Sequence, residues 1–337
     1  MRKAAASIAS ILILAMALAI PGGAHVAQAA AGNQIRIATL APRDTDLTRG
    51  FQKIDKGLQA ATGGQWGIRL YPSGVAGDEK DVIRKMRIGQ MDASVVTTTG
   101  LSQIVREVAV LDTPGVINSY PELERVQKQM NGEWNDTFAK NGFKLFAWGE
   151  TGQYRYFTKG PIKSPNDLKT KRPWLWPESY VLREIYHVLG VTGVPLGVPE
   201  VYGALQTGMV DALVSTSLAT VALQWHSKLD AVTKETFGVL LGAMIMNDEK
   251  WKTIPEDVKV ALEEQIKLNT EGNAQGVRKD DNKAYEALLK RGYTATEYSE
   301  EGRKAYKELA AGVRKRMVGR VYPQTLLDRV MGIAAGK

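Results

Sequence analysis

The chain has 337 residues, no cysteine, and 44 Lys and Arg against 36 Asp and Glu, a formal charge of +8. The missing cysteines exclude disulfides, thiolate metal sites, lipid attachment through a cysteine and a cysteine nucleophile. A chain of this size buries roughly 75% of its unfolded surface and commonly divides into two domains, so ordinary apolar burial is enough to hold it.

Residues 1–29 read as a signal peptide. Arg2 and Lys3 precede an apolar run from Ala4 to Ile20, then Pro21, Gly22, Gly23 and the small-residue exit Ala27-Gln28-Ala29. A charged start, an apolar middle and an A-x-A site mark an export signal cut after Ala29. No later stretch reaches the ~20 apolar residues of a membrane span. The expectation is therefore an exported, periplasmic protein. Without Arg2 and Lys3 the balance is 42 basic residues to 36 acidic ones. The densest basic run, VRKRMVGR (313–320), has Met and Val on its other face. That is the pattern of a solvated helix face, and no nucleic-acid partner is expected.

IRIATL (35–40) reads as a strand. Asp46–Ala61 carries Leu47, Phe51, Ile54 and Leu58 at helical spacing and is stopped by Thr62-Gly63-Gly64. WGIRLYP is the next strand, Asp78–Ile88 a helix closed by Gly89, and MDASVVT (91–97) a third strand. This β-α-β-α-β order predicts a mostly parallel sheet covered by helices. FKLFAWG (143–149) and YRYFTK (154–159) read as strands, SPNDL as a short helix, WLW as a strand stub and Ser179–Leu189 as a helix. VTGVPLG is a strand, PEVYGALQTG a helix closed by Gly208, and MVDALVST a strand. "MRIGQMDASV" and "LQTGMVDALV" share one plan: helix, glycine stop, x-x-Asp, apolar strand. Asp92 and Asp211 are read as turn residues of that unit. A long polar helical stretch spans 253–290, and further helices lie around 299–317 and 324–335.

These elements predict an α/β clamshell of two lobes joined by crossing strands, with a long late helix bridging them. The expected division is lobe I over 30–152 and lobe II over 153–240. A return to lobe I with the bridging helix follows over 241–280, then the completion of lobe II and the C-terminal helices over 281–337.

The stretches "IRIATLAP", "LYPSGVAGDEKDVIRKMRIGQMDASVVTTTGLS", "VLDTPGVINSYPELERV", "GPIKSPNDLK" and "VPLGVPEVYGALQTGMVDA" cover nearly the whole chain beyond the signal. In them the chain resembles the DctP-like substrate-binding proteins of tripartite ATP-independent periplasmic (TRAP) transporters. The resemblance implies a type II periplasmic-binding fold that closes on a small solute and delivers it to a membrane permease. Most such proteins bind organic acids, through an arginine shortly after "D-L-K-G-x-K" whose planar guanidinium matches a carboxylate with two parallel bonds. Along "DLKTKRPW" that position falls on Trp174, with Arg172 on the preceding basic position; a shift of two residues would restore an arginine. Other ligand positions implied by the resemblance fall on Leu40, Val198, Ser215, Arg155, Glu79 and Thr97. W-x-W here and "ALQWH" at 222–226 resemble a branch of the family that works with a tetratricopeptide-repeat partner and is thought to take hydrophobic ligands. In that branch Trp174, Trp176, Trp225 and Gln224 become ligand candidates. A conventional organic-acid receptor using Arg155 or Arg172 is the alternative. A ligand-sensing or lipid-shuttling protein is the alternative of another class.

Plainer roles compete with each assignment. Trp174 and Trp176 share one face of a strand, where core packing is the default. Trp225 could pack on the hinge, and Arg155 could pair with Glu150 or Asp167. Glu79 could only cap its helix and complement the dipole. Leu40 and Thr97 end parallel strands, where open α/β sheets bind ligands. Catalysis is not expected: His187 and His226 have no metal-ligand spacing, and neither a P-loop nor G-x-S-x-G occurs. No cofactor is implied.

Overall fold

The computed structural model describes residues 33–270 and 272–337; the signal-peptide reading of residues 1–29 lies outside them. Strand β1 (Gln34–Thr39) leads through helix α1 (Asp46–Ala61) to β2 (Gly67–Tyr71), and α2 (Glu79–Arg87) leads to β3 (Ala93–Thr97). Thr45 caps α1 by accepting from Thr48 N–H, and Phe51, Ile54 and Leu58 form its buried stripe. β1 pairs in parallel with β2 and with β3, as the alternating order predicts. The short α3 (Thr98–Leu101) and the long α4 (Tyr120–Lys140) follow.

The chain then crosses over. β4 (Phe143–Gln153) runs into β5 (Arg155–Thr158) with Tyr154 alone between them. β6 (Trp174–Leu175), α5 (Tyr180–Leu189), β7 (Val194–Pro195), α6 (Val198–Thr207), β8 (Ala212–Ser215), α7 (Ser217–Ala222) and β9 (Ala231–Thr233) build the second unit. β10 (Val239–Asn247) returns to the first and pairs antiparallel with both β3 and β4. Tyr154 N–H donates to Gly238 and Phe237 N–H to Tyr154, both at 3.0 Å, so the two crossing segments are tied where they pass between lobes. The helices α8 (Asp248–Thr253), α9 (Glu256–Thr270) and α10 (Asn273–Lys290) come next. Strand β11 (Thr294–Thr296) and helices α11 (Glu300–Met317) and α12 (Gln324–Ala334) complete the chain.

The lobes are thus two sheets, ordered β2-β1-β3-β10-β4 and β11-β9-β5-β8, with β6 and β7 as a separate parallel pair. The predicted long helix over 253–290 is two helices. Gly272 sits at φ +75°, a left-handed conformation that ends the first and turns into the second. α9 packs on α1 in the first lobe, and α10 packs on β4 and α7 where the lobes meet.

Candidate functional site

A cavity of about 720 Å³ lies between the two sheets. Its wall takes Leu40 from the end of β1, Thr97 from the end of β3, β4 residues around Trp148, and from the second lobe Trp174, Trp176, Val198, Ser215 and Trp225. Strand ends and helix starts converge there because β1, β3 and β8 each bring their carboxyl end to the gap.

Three tryptophans form one side of the wall. Trp174 in β6 and Trp176 just past its end lie side by side, with ring centroids 5.7 Å apart and planes inclined by 26°. Trp225 meets Trp174 edge-on at 5.2 Å. Trp174 is only 4% exposed and donates its indole N–H to the Leu196 carbonyl at 2.8 Å. The Trp176 N–H reaches Asp78 Oδ2 at 3.1 Å. With these two N–H groups satisfied, the part of the rings that meets the cavity is apolar. Core packing and cavity lining therefore coincide at these residues.

Glu79 belongs to the wall and also fixes it. Its carboxylate accepts from Thr97 N–H at 2.7 Å and from Thr97 Oγ1 at 2.8 Å. Burial pushes its pKa up to about 8, against the pull of the Thr97 bonds. Asp78, not Glu79, caps the helix, by accepting from Glu79 N–H.

Two expected residues lie elsewhere. Arg155 is outside the wall. Side chains alternate along a strand, and Tyr154 and Tyr156 take the cavity side. Arg155 donates Nη1 to the carbonyls of Thr233, at 3.0 Å, and Lys234, and its guanidinium lies over the Tyr285 ring at 4.3 Å. It pairs with neither Glu150, which is held by Arg278, nor Asp167, which caps the turn at Lys163 and Ser164. Gln224 is exposed, and its φ of +59° turns the chain so that the following Trp225, rather than its own side chain, enters the wall. Arg172, the alternative carboxylate ligand, is bound to Asp211 and also stands outside the wall.

Sequence reasoning missed Asp112 and Tyr154. Asp112 Oδ2 accepts from Thr98 Oγ1 and, at 3.4 Å, from Tyr154 Oη, while Oδ1 is buried without a hydrogen-bond partner. Burial pushes the Asp112 pKa up to about 7. The only trace was Asp112 inside "VLDTPG", with no spacing to tie it to Thr98 or Tyr154. Phe237 and Tyr306, 4.7 Å apart, extend the aromatic lining. Among the described residues, the basic side chains bordering the cavity are Arg49 and Lys53 on α1. Arg49 is paired with Asp46, and no guanidinium stands beside the tryptophans.

The family model "Bacterial extracellular solute-binding protein, family 7" (DctP) matches residues 37–320. The C4-dicarboxylate-binding periplasmic protein DctP of Rhodobacter capsulatus is 23% identical over 96% of each chain. A solute-binding protein of Verminephrobacter eiseniae is 25% identical over 82% of this chain and 83% of its own. Among solved structures, the sugar acid binding protein DctPAm of Advenella mimigardefordensis, in complex with galactonate, superposes with a TM-score of 0.83 at 15% identity. That match covers 90% of this chain and 98% of DctPAm. A TRAP periplasmic solute-binding protein of Shewanella oneidensis with bound succinate gives 0.82 at 16% identity, over 89% and 99%. These likenesses establish a two-lobed periplasmic-binding fold.

Proposed function

Because the chain belongs to bacterial extracellular solute-binding protein family 7, a family of receptors and not of enzymes, we propose that its inter-lobe cavity captures a small hydrophobic or amphipathic solute for a TRAP permease. The observation that carries this reading is the Trp174–Trp176–Trp225 cluster, whose Trp174 falls at the position where the family resemblance places a carboxylate-binding arginine. A ligand that covers ~100 Å² of the apolar wall around those rings gains roughly 2.5 kcal/mol from apolar burial. A bare carboxylate gains nothing there; among the described residues the guanidinium that borders the cavity, Arg49 on α1, is already paired with Asp46. The organic-acid reading has less support, since Arg155 and Arg172 are both engaged away from the cavity.

The same tryptophans and the "ALQWH" segment favour the family branch that hands its solute on with a tetratricopeptide-repeat protein in the periplasm. The test is native mass spectrometry of the purified protein, followed by extraction of the bound molecule. Thermal shifts with the recovered compound complete it, since specific binding stabilises by RT ln(1 + [L]/Kd). An apolar or amphipathic compound is expected. Recovery of a small dicarboxylate that raises Tm would overturn the reading.

A further inference from the structure

Asp78 stands on the first lobe, at the start of α2, and its two carboxylate oxygens do different work. Oδ1 accepts from Glu79 N–H, the first of the helix, at 2.7 Å and so serves as its N-cap. Oδ2 accepts two bonds from the opposite lobe: the Trp176 indole N–H at 3.1 Å and the Val198 N–H at 2.9 Å. Val198 is the first residue of α6, so the carboxylate also sits at the positive end of that ten-residue helix. A cap needs one oxygen; the second is committed across the cleft.

The approach of the lobes is close at this point. A Cβ on Gly197 would come within 2.8 Å of Asp78 Oδ2, although the φ of Gly197, −68°, would suit any residue. Glycine is needed there for space. One step away, a Cβ on Gly74 of the first lobe would come within 3.0 Å of Pro199 Cγ of the second. Along the same edge, Gln103 Nε2 donates to the Glu178 carbonyl at 3.1 Å and Lys80 Nζ lies 3.5 Å from Glu178 Oε1. Opening the lobes would return the Trp176 and Val198 N–H groups to water and strip Oδ2 of both partners.

We infer that Asp78 is a cross-cleft positioning residue. From one lobe it fixes the Trp176 ring and the start of α6 on the other, so that the tryptophan wall is completed only in the closed protein. Val198 and Trp176 both line the cavity, which places the bond between closure and the solute-facing surface. This rests on the cavity being the solute site, but not on what the solute is.

The experiment measures closure directly. The chain has no cysteine, so Lys56→Cys on α1 and Lys304→Cys on α11, both exposed, can carry a spin-label pair on the full-length protein. Asp78→Ser keeps an N-cap hydroxyl but is too short to reach the other lobe, and thermal denaturation checks that the fold survives. Trp176→Phe removes the indole donor alone. In the parent a short-distance population is expected; Asp78→Ser should lower the closed-to-open ratio about tenfold, the scale of hydrogen bonds to a charged group. Trp176→Phe should lower it less, and the double variant should match Asp78→Ser. Equal distance distributions in the parent and Asp78→Ser would overturn the inference, as would a parent with no short-distance population. Titration with the neutral apolar fluorophore N-phenyl-1-naphthylamine is a separate readout. Failure of the parent to bind it, with the distance shift intact, counts against the apolar-solute reading and leaves the role of Asp78 standing.

Discussion

Arg172 is joined to Asp211 by backbone and side chain together. Its N–H donates to Asp211 Oδ1 at 2.6 Å, its guanidinium meets Oδ2 at 2.9 Å, and Asp211 N–H returns to the Arg172 carbonyl at 3.1 Å. Arg36 and Asp92 repeat this in the first lobe, with an N–H bond of 2.8 Å, an ion pair of 2.7 Å and a return bond of 3.1 Å. Each Asp follows a helix stopped by a glycine at φ +72°, Gly89 or Gly208. The recurring glycine-x-x-Asp unit therefore includes an arginine from the neighbouring segment, and Arg172 is the second lobe's copy.

That assignment predicts the behaviour of Arg172→Ala. Its side chain is 62% exposed, so losing the ion pair should cost only about 0–1 kcal/mol of stability in urea. Solute affinity should stay within about twofold of the parent, a difference of under ~0.5 kcal/mol. Asp211→Ala should cost more, about 0.5–1.5 kcal/mol beyond the ion pair, because it also removes the acceptor of the Arg172 N–H. Abolished binding in Arg172→Ala would restore Arg172 as the carboxylate ligand.

Arg155 makes the opposite kind of prediction. Only 8% exposed, it links β5 to the carbonyls of Thr233 and Lys234. Arg155→Met should lower the urea midpoint, with a loss of about 1–3 kcal/mol from the two stranded carbonyls. Kd for the recovered solute should stay unchanged in the folded variant. A loss of affinity at unchanged stability would move Arg155 back into the site.

Much of this fold was legible because it is local. Periodicity placed α1 at its observed ends, glycine stops placed the ends of α2 and α6, and alternation of strand and helix implied the parallel pairing of β1 with β2 and β3, though not the antiparallel β10 that makes the sheet mixed. The 253–290 stretch misled because its helical spacing persists on both sides of the break, which Gly272 marks at φ +75°. Arg155 was misplaced by family position, although strand parity could have corrected it: in "YRY" the two tyrosines take one face and the arginine the other. Asp78 and Asp112 were invisible for another reason. The partners of Asp78 are 98 and 120 residues away in sequence, and no local pattern encodes a bond that forms only when two lobes meet.

For Trp174 the expected effect is on binding and stability together. Trp174→Ala would leave a void beside Trp176 and Trp225, with a stability cost of about 3–5 kcal/mol. Trp174→Leu keeps much of the apolar volume and is the better probe. It should weaken an apolar solute about tenfold, ~1.4 kcal/mol, by loosening the Trp176 and Trp225 rings packed on it, since Trp174 itself is only 4% exposed. The check is a ligand-induced thermal shift, with far-ultraviolet circular dichroism to confirm the fold. Unchanged affinity would make Trp174 a packing residue only.

Glu79 gives the protein a pH dependence whose sign can be worked out. Its carboxyl is raised from the ordinary 4.5 to about 8 by burial, and Asp112 from 3.8 to about 7 for the same reason. Between those limits the folded protein holds protons that the unfolded chain has released, so stability falls as pH rises through the window. Below the unfolded values the contribution is fully present; above about 8 it is gone. Glu79→Gln removes one titration while its amide oxygen can still accept from Thr97 N–H. The variant's Tm should therefore decline less steeply than the parent's between pH 5 and pH 8, a window set by these pKa values. The gap between the two proteins should move in the variant's favour toward the alkaline end. Parallel curves would mean that Glu79 stays ionised in the fold. In that case its bonds to Thr97, not proton uptake, would carry the stability of the wall.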